Sequence, residues 1–236
     1  MRQLFTELLK DEALTAVLSA NFDRYVDWQN GESDFESDEF KQLLRFVQLF
    51  PDGVDWEALE DYTDTASFMA DGRQMLAQYA VYSPDTPLWN DNDYDPARFT
   101  CIGWPGAGGT GSVLWPDTGY AMSSACRHKE AGWDFLREFL TEAGQQTVSS
   151  LPVNRKVLQA RLQELMTVEY RPGADRTPLL DAAGQPVRQA RISWYDDDGT
   201  EHNIYSLTQE QADRVLEAVE GCTHLAGTDS AVFSLV

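Results

Sequence analysis

The chain has 236 residues, with 39 acidic against 18 basic side chains and a formal net charge of −21. That balance argues against nucleic acid or an anionic membrane as a partner, because binding either one relies on basic groups that displace counterions. Three cysteines (Cys101, Cys126, Cys222) are too few and too scattered for a disulfide framework or a thiolate metal site, and no apolar run reaches membrane-spanning length.

In chain order, the opening MRQLFTELLKDEALTAVL is an amphipathic pattern interspersed with acidic residues, unlike a secretory leader. In SDEFKQLLRFVQLF, Ser37 caps a helix and Asp38 and Glu39 suit its positive end. Phe40, Leu43, Leu44 and Val47 fall on one face. Short apolar or aromatic runs bounded by Pro, Gly and Asp predict strands at 75–82 (MLAQYAVY), 98–104 (RFTCIGW) and 119–124 (GYAMSS). The polar stretch 83–97 between the first two is a loop.

KEAGWDFLREFLTEA places Phe135, Leu136, Phe139 and Leu140 at helical spacing. PVNRKVLQARLQELM is a helix capped by Asn154, with Leu158, Leu162 and Leu165 inward. Residues 171–186 form a second loop. VRQARISWY and TEHNIYS flank the hairpin turn Asp198-Gly199. TQEQADRVLEAVEG has a capping box of Thr208 with Gln211, an apolar face of Ala212, Val215, Leu216 and Val219, and Gly221 as its stop. No internal repeat or low-complexity tract stands out. The alternation predicts an α/β chain with more helix than strand.

Gly106, Gly108 and Gly111 spell a literal G-x-G-x-x-G. A dinucleotide site needs a helix opening at the last glycine, and Pro116 and Asp117 interrupt any such helix; a P-loop needs a lysine after Gly111, which is absent. The acidic clusters at 91–95 and 196–199 lack the glycine and closing glutamate of a calcium loop and read as solvated turns. His128, His202 and His224 sit in unrelated contexts without a nucleophile motif, so neither metal, cofactor nor catalysis is expected. What remains is a set of loop aromatics, Tyr79, Tyr82, Trp89, Trp104 and Trp115. Such rings stack on the apolar faces of sugars while nearby Asp and Asn bond the hydroxyls.

The ordered series FMADGRQMLAQYAVYS, FTCIGWPGAGGTG, GYAMSSACRHKEAGWDFLREFLTEAGQQ and LPVNRKVL resembles the second half of extracellular solute-binding proteins of the carbohydrate ABC-transporter type. Upstream, DWQNGESDFESDEFKQLLRFVQLFP is similar to a stretch of the same family, and LTQEQADRVLEAVE to a helix of its longer members, so the likeness covers most of 22–220.

The resemblance implies a partial periplasmic-binding-protein-like type II fold, mostly the C-terminal lobe. Residues 1–111 would belong to that lobe and hold the glycine loop as a turn before a hinge crossing. Residues 112–168 would cross toward the N-terminal lobe, and 169–236 would return with a hairpin near 187–206. It also implies a truncated chain, without the family's signal segment and first lobe, whose full-length form is periplasmic or extracellular and membrane-anchored. The uncovered face of Phe135, Leu136, Phe139 and Leu140 would then invite self-association.

The expected function is to bind a carbohydrate or related solute in an interlobe cleft and present it to a permease, with no cofactor. Tyr82 is the first stacking candidate, followed by Tyr79, Trp104 and Trp115, and Asp117 is a hydroxyl acceptor. The alternatives are a non-catalytic protein-interaction domain and a glycoside hydrolase, which would need two carboxylates at a defined separation.

Overall fold

A serine, an asparagine and a threonine start three of the helices through their side chains, and those helices carry much of the buried apolar surface. A computed structural model describes residues 8–53, 65–91, 97–106, 109–116, 119–196 and 198–227. The chain begins with α1 (Lys10–Ala20), α2 (Phe22–Tyr25), β1 (Val26–Asp27), β2 (Glu32–Ser33), α3 (Asp38–Val47), α4 (Thr65–Ala70) and α5 (Thr86–Asn90). It continues with β3 (Trp104–Gly106), β4 (Gly109–Leu114), α6 (Lys129–Glu138), α7 (Glu142–Gln145) and α8 (Arg155–Met166). The last elements are β5 (Ile192–Tyr195), β6 (Glu201–Ile204), α9 (Gln209–Glu220) and β7 (Cys222–Leu225). It is a mixed α/β chain, mostly helical with short strands. Among the described residues no helix is long and apolar enough to cross a membrane.

Two interleaved units share the chain. The first comprises Met1–Ala80, Asp93–Gly119 and Ala218–Val236. Ala13, Val17, Leu18 and Ala20 of α1 are buried, and Leu18 joins Phe22, Tyr25 and Phe40 in one cluster. Tyr25 meets Phe40 edge to face at 5.1 Å, and Phe35 lies 5.0 Å from Phe40 between ring centres. Each such side chain contributes about 1.5–3 kcal/mol by leaving water. The Ser37 hydroxyl accepts the Phe40 N–H at 3.2 Å and so starts α3 as its sequence predicts. Phe40 and Val47 are buried, and Leu43 and Leu44 are half-buried against the same cluster.

The glycine run forms a hairpin. β3 and β4 are antiparallel, with Trp104 opposite Gly111, Pro105 opposite Thr110 and Gly106 opposite Gly109. Ala107 and Gly108 between the last pair lie outside the described residues. The last glycine, Gly111, lies within β4, and among the described residues no helix opens there, so the phosphate-cradle geometry is absent. The strand expected over 98–104 is displaced: it starts at Trp104 and runs through Pro105, which the edge position of β3 tolerates. On its other side β4 pairs in parallel with β7. Beyond β7 the Ala226 N–H reaches the Leu114 carbonyl at 2.8 Å, and the Gly227 N–H reaches the Ser19 carbonyl at 3.0 Å.

The second unit comprises Val81–Asn92 and Tyr120–Glu217. Its core gathers Leu88, Leu158, Leu162, Leu207, Ala212 and Val215, with Leu165, Ile192, Ile204 and Leu216 packed around them. Asn154 Oδ1 accepts the Lys156 and Val157 amides at 3.0 and 3.3 Å, capping α8. Thr208 and Gln211 exchange a reciprocal pair of bonds at 3.2 and 2.9 Å, the capping box of α9. Arg191 closes the other end of α8, donating to the carbonyls of Glu164 at 2.9 Å and Thr167 at 3.3 Å while pairing with Glu169 at 2.7 Å. β5 and β6 form the expected hairpin, with Gly199 at φ +84° in its turn.

Two further expected strands do not form. At 75–82 the end of the segment is taken by a turn: the Tyr82 and Ser83 amides both donate to Thr86 Oγ1 at 3.0 Å, ahead of α5. At 119–124 Ser123 accepts the Cys126 amide at 3.0 Å and, through its side chain, the Ala125 amide at 3.2 Å, which turns the chain toward α6.

The expected loop 171–186 is hydrogen-bonded throughout. Arg171 donates to Val187 at 2.9 Å, Leu179 to Arg171 at 2.7 Å and Val187 to Leu179 at 2.8 Å, closing a triangle of backbone bonds. Leu179 stands eight residues after Arg171 and Val187 eight after Leu179, so two sides are closed by turns of equal length and the third bond joins the two ends. Asp175 and Asp181 fasten those turns: Asp175 accepts from the Thr177 hydroxyl at 2.6 Å, and Asp181 from the Ala183 and Gln185 amides at 2.8 Å each. The Thr177 hydroxyl, followed by its amide, holds the Asp175 carboxyl below its ordinary pKa. A lowered carboxylate pKa means stability that is complete above the unfolded value and lost as the pH falls through the folded one.

Two predictions follow from these turns. At the elbow between α6 and α7, a Cβ on Gly144 would lie 2.1 Å from the Glu138 carbonyl oxygen, a clash with backbone. Gly144→Ala therefore loses about 1–3 kcal/mol in a urea titration; unchanged stability contradicts the close approach. Thr177→Ala raises the Asp175 carboxyl back toward its ordinary value in a carboxyl-carbon NMR titration, and the wild-type arm loosens only at a pH below that value.

Candidate functional site

Helix α1 is used on two faces. Ala13, Val17 and Leu18 enter the core, while Asp11, Glu12, Thr15 and Ala16, spaced by three and four residues, line an open groove together with Leu8 just ahead of the helix. The groove has a volume of about 570 Å³ and lies wholly within the first unit. Thr65, Gln74, Ala77, Gln78 and Trp115 complete its wall.

Trp115 directly follows β4 and is 43% exposed, so its indole offers a flat apolar surface. Around it the wall is mixed: two carboxylates, two hydroxyls and two amides stand among Leu8, Ala16 and Ala77. The Thr15 hydroxyl donates to the Asp11 carbonyl at 2.9 Å, and one Glu12 oxygen accepts the Leu9 amide at 2.9 Å, fastening the start of α1. Buried Gln74 donates from Nε2 to the Leu76 carbonyl at 2.6 Å, which holds the turn beneath the groove. Among the described residues nothing engages the Asp11 carboxylate. A flat ring beside carboxylates, amides and hydroxyls is chemistry suited to a polyhydroxylated ligand.

Of the five residues singled out from sequence, the groove gathers Trp115. Tyr79 and Trp104 are half-buried in the same unit without lining it. Tyr82 belongs to the second unit and is 73% exposed; its carbonyl accepts the Leu151 amide at 3.1 Å. Asp117 lies outside the described residues. Sequence reasoning missed the α1 face. Its signal was the polar stripe Asp11, Glu12 and Thr15 opposite Ala13 and Val17.

Other chemistry-bearing groups are held structurally. On the β5–β6 hairpin His202 stacks on Trp194 at 5.0 Å and bonds Asp196 at 2.6 Å. Ser193 pairs across from Asn203, and the neighbouring pair is Trp194 with His202, so the serine and the histidine face opposite sides of the ribbon. Among the described residues no group of three or more His, Cys, Asp and Glu gathers as metal ligands do. Asp91, from the first acidic cluster, pairs with Arg214 and accepts from Gln211 at 2.8 Å. The remainder of that cluster lies outside the described residues.

On α6 the aromatic face is open. Phe135 is 65% and Leu140 53% exposed, while Phe139 stacks on Tyr120 at 4.8 Å and meets Phe135 edge-on at 5.4 Å.

No protein-family model matches the chain, and no curated protein matches it.

Burial pushes the Cys222 thiol above its ordinary pKa, and its Sγ donates to the Ala218 carbonyl at 3.2 Å. Cys222 is therefore alkylated more slowly at pH 8 than a free cysteine, by mass-spectrometric mapping of iodoacetamide labelling; labelling at the free rate would contradict its burial.

Proposed function

We propose that the chain is the solute-binding component of an ABC transporter and binds a carbohydrate or related solute without making or breaking a bond. By its resemblance it corresponds to the second half of such a protein, of periplasmic-binding-protein-like type II fold. Its full-length form would work outside the cytoplasmic membrane, beside a permease. The observation that carries the reading is Trp115: a stacking ring by its sequence context, it stands in the wall of a groove where hydroxyls, amides and carboxylates alternate with the small apolar surfaces of Leu8, Ala16 and Ala77. The order of the sequence motifs along 22–220 supports it independently. Tyr82, Tyr79, Trp104 and Asp117 remain proposed ligand contacts on the strength of the motif match. A groove of about 570 Å³ accommodates a small saccharide, and its openness to solvent fits weak binding.

A second reading has one specific observation in its favour. The uncovered aromatic face of α6 suits a protein-interaction surface, including self-association of the chain.

One experiment separates the two. NMR titration with neutral disaccharides shifts the Trp115 indole signal in a saturable way, and Trp115→Ala weakens binding about tenfold. Absence of any saturable shift, together with a dimer by light scattering that Phe135→Asp dissolves, favours the interaction reading.

A further inference from the structure

The charge of the groove wall points to the kind of saccharide. Among the described residues its lining contains two carboxylates, Asp11 and Glu12, and no basic side chain. The cations next to those wall residues in the chain are committed elsewhere: Lys10 pairs with Asp52, and the Arg73 guanidinium lies over the Phe68 ring at 4.1 Å. The Asp11 carboxylate has no partner among the described residues, and the exposed Trp115 indole supplies a second electron-rich surface, its π face.

We infer that the groove takes a saccharide bearing an amino group and rejects one bearing a carboxylate or phosphate; this rests on the carbohydrate reading above. An ammonium group gains a charge-assisted hydrogen bond from a carboxylate and a cation–π contact from an indole face. An anionic sugar meets two carboxylates locally and the net charge of −21 at longer range. Neutral sugars keep the stacking and the hydroxyl contacts but lack the ionic one.

The test is NMR titration of the full chain at low salt, read at the Trp115 indole. Its probes are a glucosamine disaccharide, the N-acetylated form, a galacturonate disaccharide, and choline as a cation without a sugar. The expected result is about tenfold tighter binding of the amino form than of the N-acetylated form, with no saturation by the uronate. In the D11N/E12Q double variant, whose fold is checked by circular dichroism, that preference falls close to one. Equal binding of the amino and N-acetylated forms, or a preference that survives the double variant, overturns the inference and leaves the carbohydrate reading standing. Binding of choline without any disaccharide overturns the carbohydrate reading and leaves the cationic selectivity of the groove. No response to any probe overturns both.

Discussion

The return of the chain to α1 is the constraint on which the first unit depends. At Gly227 the backbone passes so close to Phe22 that an added Cβ would lie 2.3 Å from the ring. That approach lets the Gly227 amide reach the Ser19 carbonyl while the Ala226 amide reaches Leu114, one residue before Trp115. A single glycine thus ties the end of α1, the aromatic cluster around Phe22 and the end of β4 to one another. Any larger residue would have to push the Phe22 ring out of its place beside Leu18 and Phe40.

Charge is organised by the same economy. With 18 basic residues against 39 acidic ones, several of the cations are spent on internal ties. Arg191 closes α8, Arg161 donates to the Gln146 carbonyl at 2.7 Å beyond α7, and Arg214 holds Asp91 beside α5. A guanidinium suits this work because its several donors can satisfy more than one carbonyl at a helix end. The consequence is a surplus of carboxylates at the surface, some of it in the wall of the groove.

Local interactions were legible in the sequence, and distant ones were not. Ser37, Asn154 and the Thr208–Gln211 box act within three residues of themselves, so their helices could be read directly. β4 and β7 pair across more than a hundred residues, and nothing near either strand announces the other. The triangle of Arg171, Leu179 and Val187 needs three segments at once, and its polar, proline-rich sequence looks like any loop. At 75–82 the apolar pattern suggested a strand, but the Thr86 hydroxyl captured the amide of its last residue, Tyr82, together with that of Ser83. Of the groove, Trp115 was legible because a tryptophan beside a proline in a loop is conspicuous. The α1 wall was not, because an acidic stripe on an amphipathic helix is ordinarily just a solvated face.

The glycine run illustrates how a motif can serve position without serving recognition. A phosphate cradle requires amides that point together at empty space ahead of a helix. Here the backbone of β3 and the start of β4 is paired across the hairpin, and β7 takes the other side of β4 from Ser112 onward. The middle strand of a three-stranded sheet is the least able of the three to shift, since its bonds must break on both edges. Trp115 is the next residue after that strand, so the sheet fixes where the indole emerges. What the hairpin contributes to the groove is the placement of a ring directly after β4.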